Sequence, residues 1–194
     1  MSPTEEKLLQ EGFVESRRIL DEAGIARALR RMAGEIVERN SGTDDLMLVG
    51  IRSRGVPLAE RLGRIIAELE GREVEQGVLD ITLYRDDVLV GLPDPEVKPT
   101  TLPGPIMGKR LVLVDDVLFT GRTIRAALDH VMDYGRPAHI QLAVLVDRGG
   151  RELPIQADYV GTTVETLRMR DSVAVLLAES DEGREEVLLY SKNT

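Results

Sequence analysis

The chain has 194 residues, a length that suits one domain with a sizeable core. It has no cysteine, which excludes disulfides, thiolate metal sites and a cysteine nucleophile, and its two histidines are too few and too poorly placed for a zinc site or a Ser-His-Asp arrangement. Since no signal-peptide pattern or membrane-length apolar run occurs, we expect a cytoplasmic protein, and the formal net charge of −9 opposes nonspecific nucleic-acid binding without excluding a local basic face.

Helices and strands alternate along most of the chain. The first 20 residues are polar and show no firm period, so we expect a poorly ordered extension over residues 1–20. Beyond it, apolar residues recur at helical spacing in three segments, with apolar runs between them. The predicted helices cover residues 25–37, 58–69 and 123–134, and the predicted strands lie at 46–51, within 74–84, at 111–114 and 140–146, and near 159, 173–177 and 187–190. This order predicts a single α/β domain over residues 1–194 with a doubly wound parallel sheet.

Residues 86–107 interrupt the alternation. Five of the nine prolines lie between Pro93 and Pro105, a density that neither a helix nor a central strand tolerates. Long segments of this kind inside a compact domain are usually functional or disordered. The position before the strand at 111–114 predicts a flexible lid loop, and a tolerated surface insertion is the alternative.

Residues 111–123 carry the most specific chemistry. An apolar strand at 111–114 leads into Asp115 and Asp116, and a short turn then opens a helix. Residues 120–123 offer backbone N–H groups, hydroxyls and a helix amino terminus to a phosphate. Carboxylates instead accept hydrogen bonds from vicinal hydroxyls. A phosphate beside a diol suggests a ribose 5-phosphate ligand, whereas the alternative is a solvated Asp-Asp turn after a core strand.

Two further loops follow predicted strands. Residues 50–56 contain two arginines, a serine and glycines, which would hold a second anion, although an arginine pair on a solvated turn is also common. Arg85 lies at the base of the predicted lid, where it would reach a pyrophosphate leaving group or form a structural salt bridge. Residues 147–161 follow a core strand as a turn-rich segment that could cover a flat base.

These segments resemble type I phosphoribosyltransferases, whose signature binds phosphoribosyl pyrophosphate (PRPP), and in particular the PyrR family of pyrimidine-operon attenuators that are also uracil phosphoribosyltransferases. The segments that carry the resemblance are residues 19–22, 80–87, 112–123, 135–137 and 140–154. It implies a type I fold with a small hood at residues 147–170, Mg²⁺ as cofactor, PRPP and uracil as substrates, UMP or UTP as effector, a homodimer or higher oligomer, and a pyr leader mRNA as partner. A transferase that uses a purine remains open, as does a uracil phosphoribosyltransferase or nucleotide-binding protein that has lost specific RNA binding.

The resemblance also assigns roles to individual residues. It implies catalytic roles for Arg85, Asp115 and Asp116, the last two contacting the metal indirectly through Mg-PRPP. The implied substrate contacts are Ser53, Arg54, Gly55, Val117, Leu118, Phe119, Thr120, Gly121, Arg122, Thr123, Arg148 and Val160. In the family the loop near residues 53–55 often contains a strained, sometimes cis, peptide.

A basic face would be needed for RNA. The candidate contacts are Arg27, Arg30, Arg31 and Arg151. The chain departs from the family pattern at Arg30, Gly34, Gly150 and residues 162–167, which lie on or near the family's RNA-contacting surface. Arginines on a solvated helix, balanced by Glu35 and Glu38, are the alternative interpretation.

Overall fold

The protein is described by a computed structural model that covers residues 2–84, 98–166 and 170–192. Its main layer is a five-stranded parallel sheet in the order β3-β2-β4-β5-β6. The strands are β2 (Leu46–Ile51), β3 (Glu75–Leu79), β4 (Arg110–Leu118), β5 (His139–Asp147) and β6 (Tyr159–Thr163). The predicted doubly wound parallel sheet is confirmed.

Helices cover both faces of this sheet. Residues of α2 (Glu22–Arg39) and α3 (Gly55–Glu70) pack on the face that carries Leu48 and Val112. Residues of α4 (Arg122–Met132) pack on the opposite face, which carries Val49 and Leu113. Successive strand residues point to opposite faces, so a strand covered on both sides must be apolar throughout. This requirement explains the unbroken apolar runs of the sequence.

A second, smaller sheet is built from the two ends of the chain. Strand β1 (Phe13–Asp21) pairs antiparallel with β8 (Glu186–Lys192), which pairs antiparallel with β7 (Asp171–Leu176). Helix α1 (Pro3–Gln10) precedes it. The prediction of a poorly ordered extension over residues 1–20 is therefore wrong. Of the residues predicted as a hood, 147–170, residues 159–163 form β6, the edge strand of the main sheet, and residues 167–169 lie outside the described residues.

Part of the predicted lid at residues 86–107 is attached to the core. Thr101 exchanges two backbone hydrogen bonds with Val78 at 2.8 and 2.9 Å, and Ile106 is fully buried. A short 3₁₀ turn, Thr82–Tyr84, follows β3. Arg85 and residues 86–97 of the predicted lid lie outside the described residues. Within the described ranges no helix is long and apolar enough to span a bilayer.

Candidate active site

The carboxylate pair lies inside strand β4 rather than after it. The predicted strand ended at Val114, but pairing with β5 continues to Leu118, opposite Asp147. Asp115 Oδ1 accepts a hydrogen bond from the Asp116 amide at 3.0 Å, and Asp116 Oδ1 accepts one from the Val117 amide at 2.8 Å. Desolvation raises the pKa of the Asp116 carboxyl, although the charge of Arg54 opposes that change. Two carboxylates held at the carboxyl end of the central strand can accept hydrogen bonds from a diol.

The predicted phosphate loop joins β4 to α4. Gly121 is the N-cap of α4 with φ of 91°, and as a glycine it has no side chain with which to cap the first turn. The amide groups of that turn are therefore oriented as donors towards an anion, with the helix dipole adding to the attraction. Thr120 Oγ1 accepts from the Arg122 amide at 3.3 Å. The Arg122 side chain binds the Glu152 carboxylate at 2.6 Å. Its backbone is therefore the part of Arg122 that suits the predicted phosphate contact.

The segment after β5 holds this loop in place. The Thr120 carbonyl accepts from the amides of Glu152 and Leu153 at 2.9 and 3.2 Å. Arg151 donates to the carbonyls of Phe119 and Ile155, both at 3.0 Å, and binds the Asp147 carboxylate at 2.5 Å. Arg151 was predicted as an RNA contact, but in the structure its guanidinium is used to fix the loop.

The second anion loop joins β2 to α3. The peptide bond between Arg52 and Ser53 is cis. Both residues line a cavity of about 350 Å³ together with Pro57, Asp80 and Lys98. Gly55 begins α3 so close to β4 that a Cβ there would lie 2.2 Å from the Val114 carbonyl oxygen, which explains why glycine occupies this position. The loops at the ends of β2 and β4 are thereby brought side by side.

Arg54 departs from its predicted role as a substrate contact. Its side chain binds the buried Asp181 through Nη2 at 2.7 Å and Nε at 3.2 Å, and Nη1 donates to Thr4 Oγ1 at 3.0 Å. The side chain is only 14% exposed. It therefore joins the loop to the small sheet and to α1 instead of pointing into the cavity.

Asp80 was not predicted as a site residue, although it belongs to the cavity. It is 6% exposed and accepts from the amides of Thr82 and Lys98, both at 2.8 Å. Burial acts to raise the pKa of its carboxyl, but the bonds from Thr82 and Lys98 and the charge of Arg52 together hold that pKa below its ordinary value. The available signal was its position directly after β3, since ligands bind at the carboxyl ends of parallel strands.

The predicted base-binding residues lie beyond the phosphate loop. Arg148 is buried, its guanidinium carbon lies 3.9 Å from the Phe119 ring centroid, and its Nη2 donates to the Asp171 carbonyl at 2.6 Å. Burial lowers the pKa of Arg148. The Phe119 ring packs over Gly150. Val160 lies on β6, where it packs against the apolar cluster that also contains Ile155.

The predicted RNA contacts on α2 divide into two groups. Arg31 donates to the carbonyls of Val160 and Gly161 at 2.9 and 2.7 Å, so it provides hydrogen-bond donors for two carbonyl groups of the edge strand β6. It also binds Glu35 at 2.7 Å. Arg27 and Arg30 line an open groove of about 510 Å³ between α2 and α3. Arg30 approaches the exposed Glu68 at 3.9 Å. A basic face on α2 is therefore narrower than predicted.

Comparison with known proteins agrees with this geometry. The family model for the phosphoribosyl transferase domain matches residues 15–176. A bifunctional protein PyrR from Pelotomaculum thermopropionicum is 59% identical over 175 residues, covering 90% of this chain and 96% of the relative, and one from Chloroflexus aurantiacus is 59% identical over 173 residues, covering 89% and 94%.

The fold also matches a solved structure with little sequence similarity. The crystal structure of the hypoxanthine phosphoribosyltransferase of Trypanosoma cruzi superposes with a TM-score of 0.68 at 18% identity, covering 92% of this chain and 98% of that one. This likeness concerns the fold alone. The resemblance inferred from the sequence is confirmed by the PyrR relatives, which match along most of their length. The chain belongs to the PyrR family, within the wider phosphoribosyl transferase domain family.

Proposed function

We propose that this protein is a uracil phosphoribosyltransferase that also regulates pyrimidine genes by binding UMP and the pyr leader mRNA. The observation that carries the enzymatic part is a pair of anion loops on β2 and β4, which are neighbours in the sheet, with Asp115 and Asp116 between them. Two anion sites that flank carboxylates fit the two phosphate ends and the diol of PRPP. The bifunctional PyrR proteins that are 59% identical to this chain support both activities.

In this proposal each part of PRPP has its own location. The 5-phosphate binds the first turn of α4, the ribose hydroxyls bind Asp115 and Asp116, and the pyrophosphate lies in the cavity lined by Ser53 and Lys98. Uracil lies near Phe119, Arg148 and Val160. Transfer breaks the bond between the anomeric carbon and pyrophosphate and forms a bond to the uracil nitrogen, which loses its proton. Positioning and charge stabilisation carry catalysis, without a covalent nucleophile.

The carboxylates also fit Mg²⁺. No cluster of three or more His, Cys, Asp or Glu side chains suited to a metal occurs within the described ranges. Asp115 and Asp116 are hard oxygen donors, and a cation bound chiefly through substrate oxygens needs few protein ligands. When bound with PRPP, Mg²⁺ supplies charge neutralisation for the departing pyrophosphate. Arg85, which lies outside the described residues, would add positive charge to the same leaving group. The proposal includes a cytoplasmic location and a homo-oligomeric state.

The enzymatic proposal is tested by substrate choice and by one loop substitution. The wild type should convert uracil and PRPP into UMP and pyrophosphate with Mg²⁺ present, and should not use hypoxanthine, guanine or adenine. Gly121→Ala should weaken UMP binding by roughly tenfold, because a left-handed backbone disfavours any Cβ and its distortion misdirects the amides. Calorimetric titration with UMP measures the loss.

Gly71→Ala is the matched control. Gly71 also has positive φ, at 66°, but ends α3 in open space. It should lower stability without changing UMP affinity. Equal UMP affinity in wild type and Gly121→Ala would remove the phosphate-loop assignment, and faster turnover of a purine would place the chain among the purine-specific transferases.

The regulatory proposal depends on the α2 groove. Replacing Arg27 and Arg30 together by alanine should weaken binding to the pyr leader mRNA by more than tenfold and reduce its salt dependence, because each arginine contacts phosphate. The double variant should retain uracil transfer, since neither residue touches the cavity at the strand ends. Arg72→Ala, which removes an exposed arginine paired with Asp44, is the control.

The assay is a mobility shift with and without UMP. UMP should tighten the wild-type complex, since the same protein state binds both ligands. If the wild type forms no specific complex at modest salt, the regulatory part of the proposal fails and the enzymatic part stands on its own.

A further inference from the structure

Arg54 connects the second anion loop to two distant parts of the chain. It is the N-cap of α3 and follows Ser53, which lines the cavity. Its guanidinium forms two bonds to Asp181 and one to Thr4. A fork with two parallel bonds to a carboxylate fixes both the position and the plane of the guanidinium. The loop is thereby tied to residues far away in sequence.

Asp181 is itself rigidly held. Its side chain is 1% exposed, and Oδ2 also accepts from the Leu177 amide at 2.9 Å. Asp181 lies in the turn between β7 and β8, where its carbonyl accepts from the Arg184 amide at 3.0 Å. A buried carboxylate with a guanidinium partner and a backbone donor has little freedom to move. It is therefore a fixed anchor for Arg54.

Helix α1 supplies the third contact and is itself anchored. Ser2 and Glu5 form a capping box, and Glu5 binds Arg184 at 2.6 Å and the Tyr190 hydroxyl at 2.8 Å. These bonds hold α1 against the small sheet, with Thr4 facing Arg54. Helix α1 precedes the residues that the phosphoribosyl transferase family model matches. The bond between Arg54 and Thr4 therefore joins the matched domain to a residue outside it.

We propose that Asp181 and Thr4 are positioning residues for the pyrophosphate end of the site, acting through Arg54 on the Arg52-Ser53 loop. The inference rests on the proposed transferase function, because it assigns that loop to the pyrophosphate of PRPP. Loss of the Asp181 contact releases the Arg54 side chain, and loss of the Thr4 contact loosens it, so in each case the loop can relax. The uracil end, near Phe119, is held by the separate bonds of Arg151. Loss of these contacts should therefore weaken the binding of PRPP and leave the binding of uracil unchanged.

The test is steady-state kinetics in which PRPP and uracil are varied separately. Asp181→Asn should raise KM for PRPP roughly tenfold or more, because a misplaced loop loses aligned contacts, and should leave KM for uracil within about twofold. Thr4→Val should raise KM for PRPP by roughly two- to fivefold, since one hydrogen bond is lost. Calorimetric titration with Mg-PRPP measures the same losses without turnover.

Glu179→Gln is the matched control. Glu179 lies near Asp181 in sequence and also links this region to α3, but through Arg61, and it does not contact Arg54. Its KM for PRPP should equal that of the wild type. Thermal unfolding checks that each variant is folded, and Thr4→Val decides the question if Asp181→Asn does not fold.

The outcomes separate this inference from the proposed function. Unchanged PRPP binding in the folded variants, an equal loss in Glu179→Gln, or a parallel rise in KM for uracil would each overturn the positioning role. If the wild type binds Mg-PRPP but transfers nothing to uracil, the proposed reaction fails. In that case the binding titrations still decide whether Asp181 and Thr4 position the loop.

Discussion

Asp115 and Asp116 show how a single strand carries both the core and the chemistry. Leu113 and Val114 are buried, and the carboxylates follow them within the same strand, whose pairing with β5 extends to Leu118. Placing a carboxylate there has a cost, since desolvation raises the pKa of Asp116. In the proposed function this cost is offset because the ribose diol needs an acceptor at that point.

Asp116→Asn should raise the thermal midpoint at pH 7 while reducing uracil transfer. An acid whose pKa is raised in the fold lowers stability at pH values above that pKa and has no such effect below its unfolded pKa of about 4. The difference in thermal midpoint between the variant and wild type should therefore become smaller as the pH falls towards 4. Thermal unfolding at several pH values measures this difference. A variant less stable than wild type at pH 7 would contradict the interpretation.

The arginines mark the limit of prediction at this scale. Arg54, Arg122 and Arg151 were assigned to ligands because arginine suits phosphate, yet in the structure each binds a carboxylate of the protein. Their partners lie 127, 30 and 4 residues away. A long side chain can satisfy either kind of partner, and the sequence does not indicate which one the fold brings within reach. The backbone contribution of the same loops was predictable, because it depends on local turn geometry.

At the scale of elements, the main sheet was predictable and its boundaries were less so. Apolar runs identified β2 and β5 because strands buried on both faces must be apolar. The same criterion ended β4 too early, since Asp115 is polar and yet pairs with Val144 of β5, and the pairing resumes at Val117 and Leu118. Because residues at the functional end of a strand can be polar and still belong to it, a prediction from hydrophobic patterns makes such a strand too short.

Helix α1 had a local signal that the apolar pattern did not contain. Ser2 is followed by Pro3 and, three residues on, by Glu5, which is the arrangement of a capping box with proline in the first turn. Strand β1 lacks any comparable signal, because after Phe13 most of its side chains are exposed. Only its pairing with β8 defines it. That partner lies at the other end of the described chain and could not be identified from local sequence.

For the whole molecule, the small sheet and α1 form a unit that combines a buried apolar cluster with polar contacts. Glu5 is 3% exposed and accepts from Ser2, Arg184 and Tyr190. Burial acts to raise the pKa of Glu5, but these bonds outweigh it and hold the pKa below its ordinary value. An acid with a lowered pKa stabilises the fold above its unfolded pKa, and this contribution is lost as the pH falls through the folded pKa.

Glu5→Gln should therefore lower the free energy of unfolding by roughly 1–3 kcal/mol at pH 7, because bonds to a charged group are lost. The difference from wild type should narrow as the pH falls below about 4.5, because the carboxyl of the unfolded chain binds a proton there before the folded one does. Urea unfolding at pH 7 and pH 4 measures both values. Glu6→Gln, at the exposed neighbouring position of the same helix, should match wild type at both. A difference that widened on acidification would show that the Glu5 pKa is raised in the fold rather than lowered.

The pairing of β1 with β8 also has a consequence for biosynthesis. Strand β1 emerges from the ribosome early, but its neighbour in the small sheet ends at Lys192. At roughly 5–20 residues per second, the interval between Asp21 and Glu186 is on the order of ten seconds or more. The five parallel strands are complete once Thr163 has been synthesised, whereas β1 and the anchor at Asp181 still await β7 and β8. Under the proposed function, the loop after β4 can thus form before the loop held by Arg54 and Asp181 is fixed, so that synthesis of β7 and β8 would complete the site.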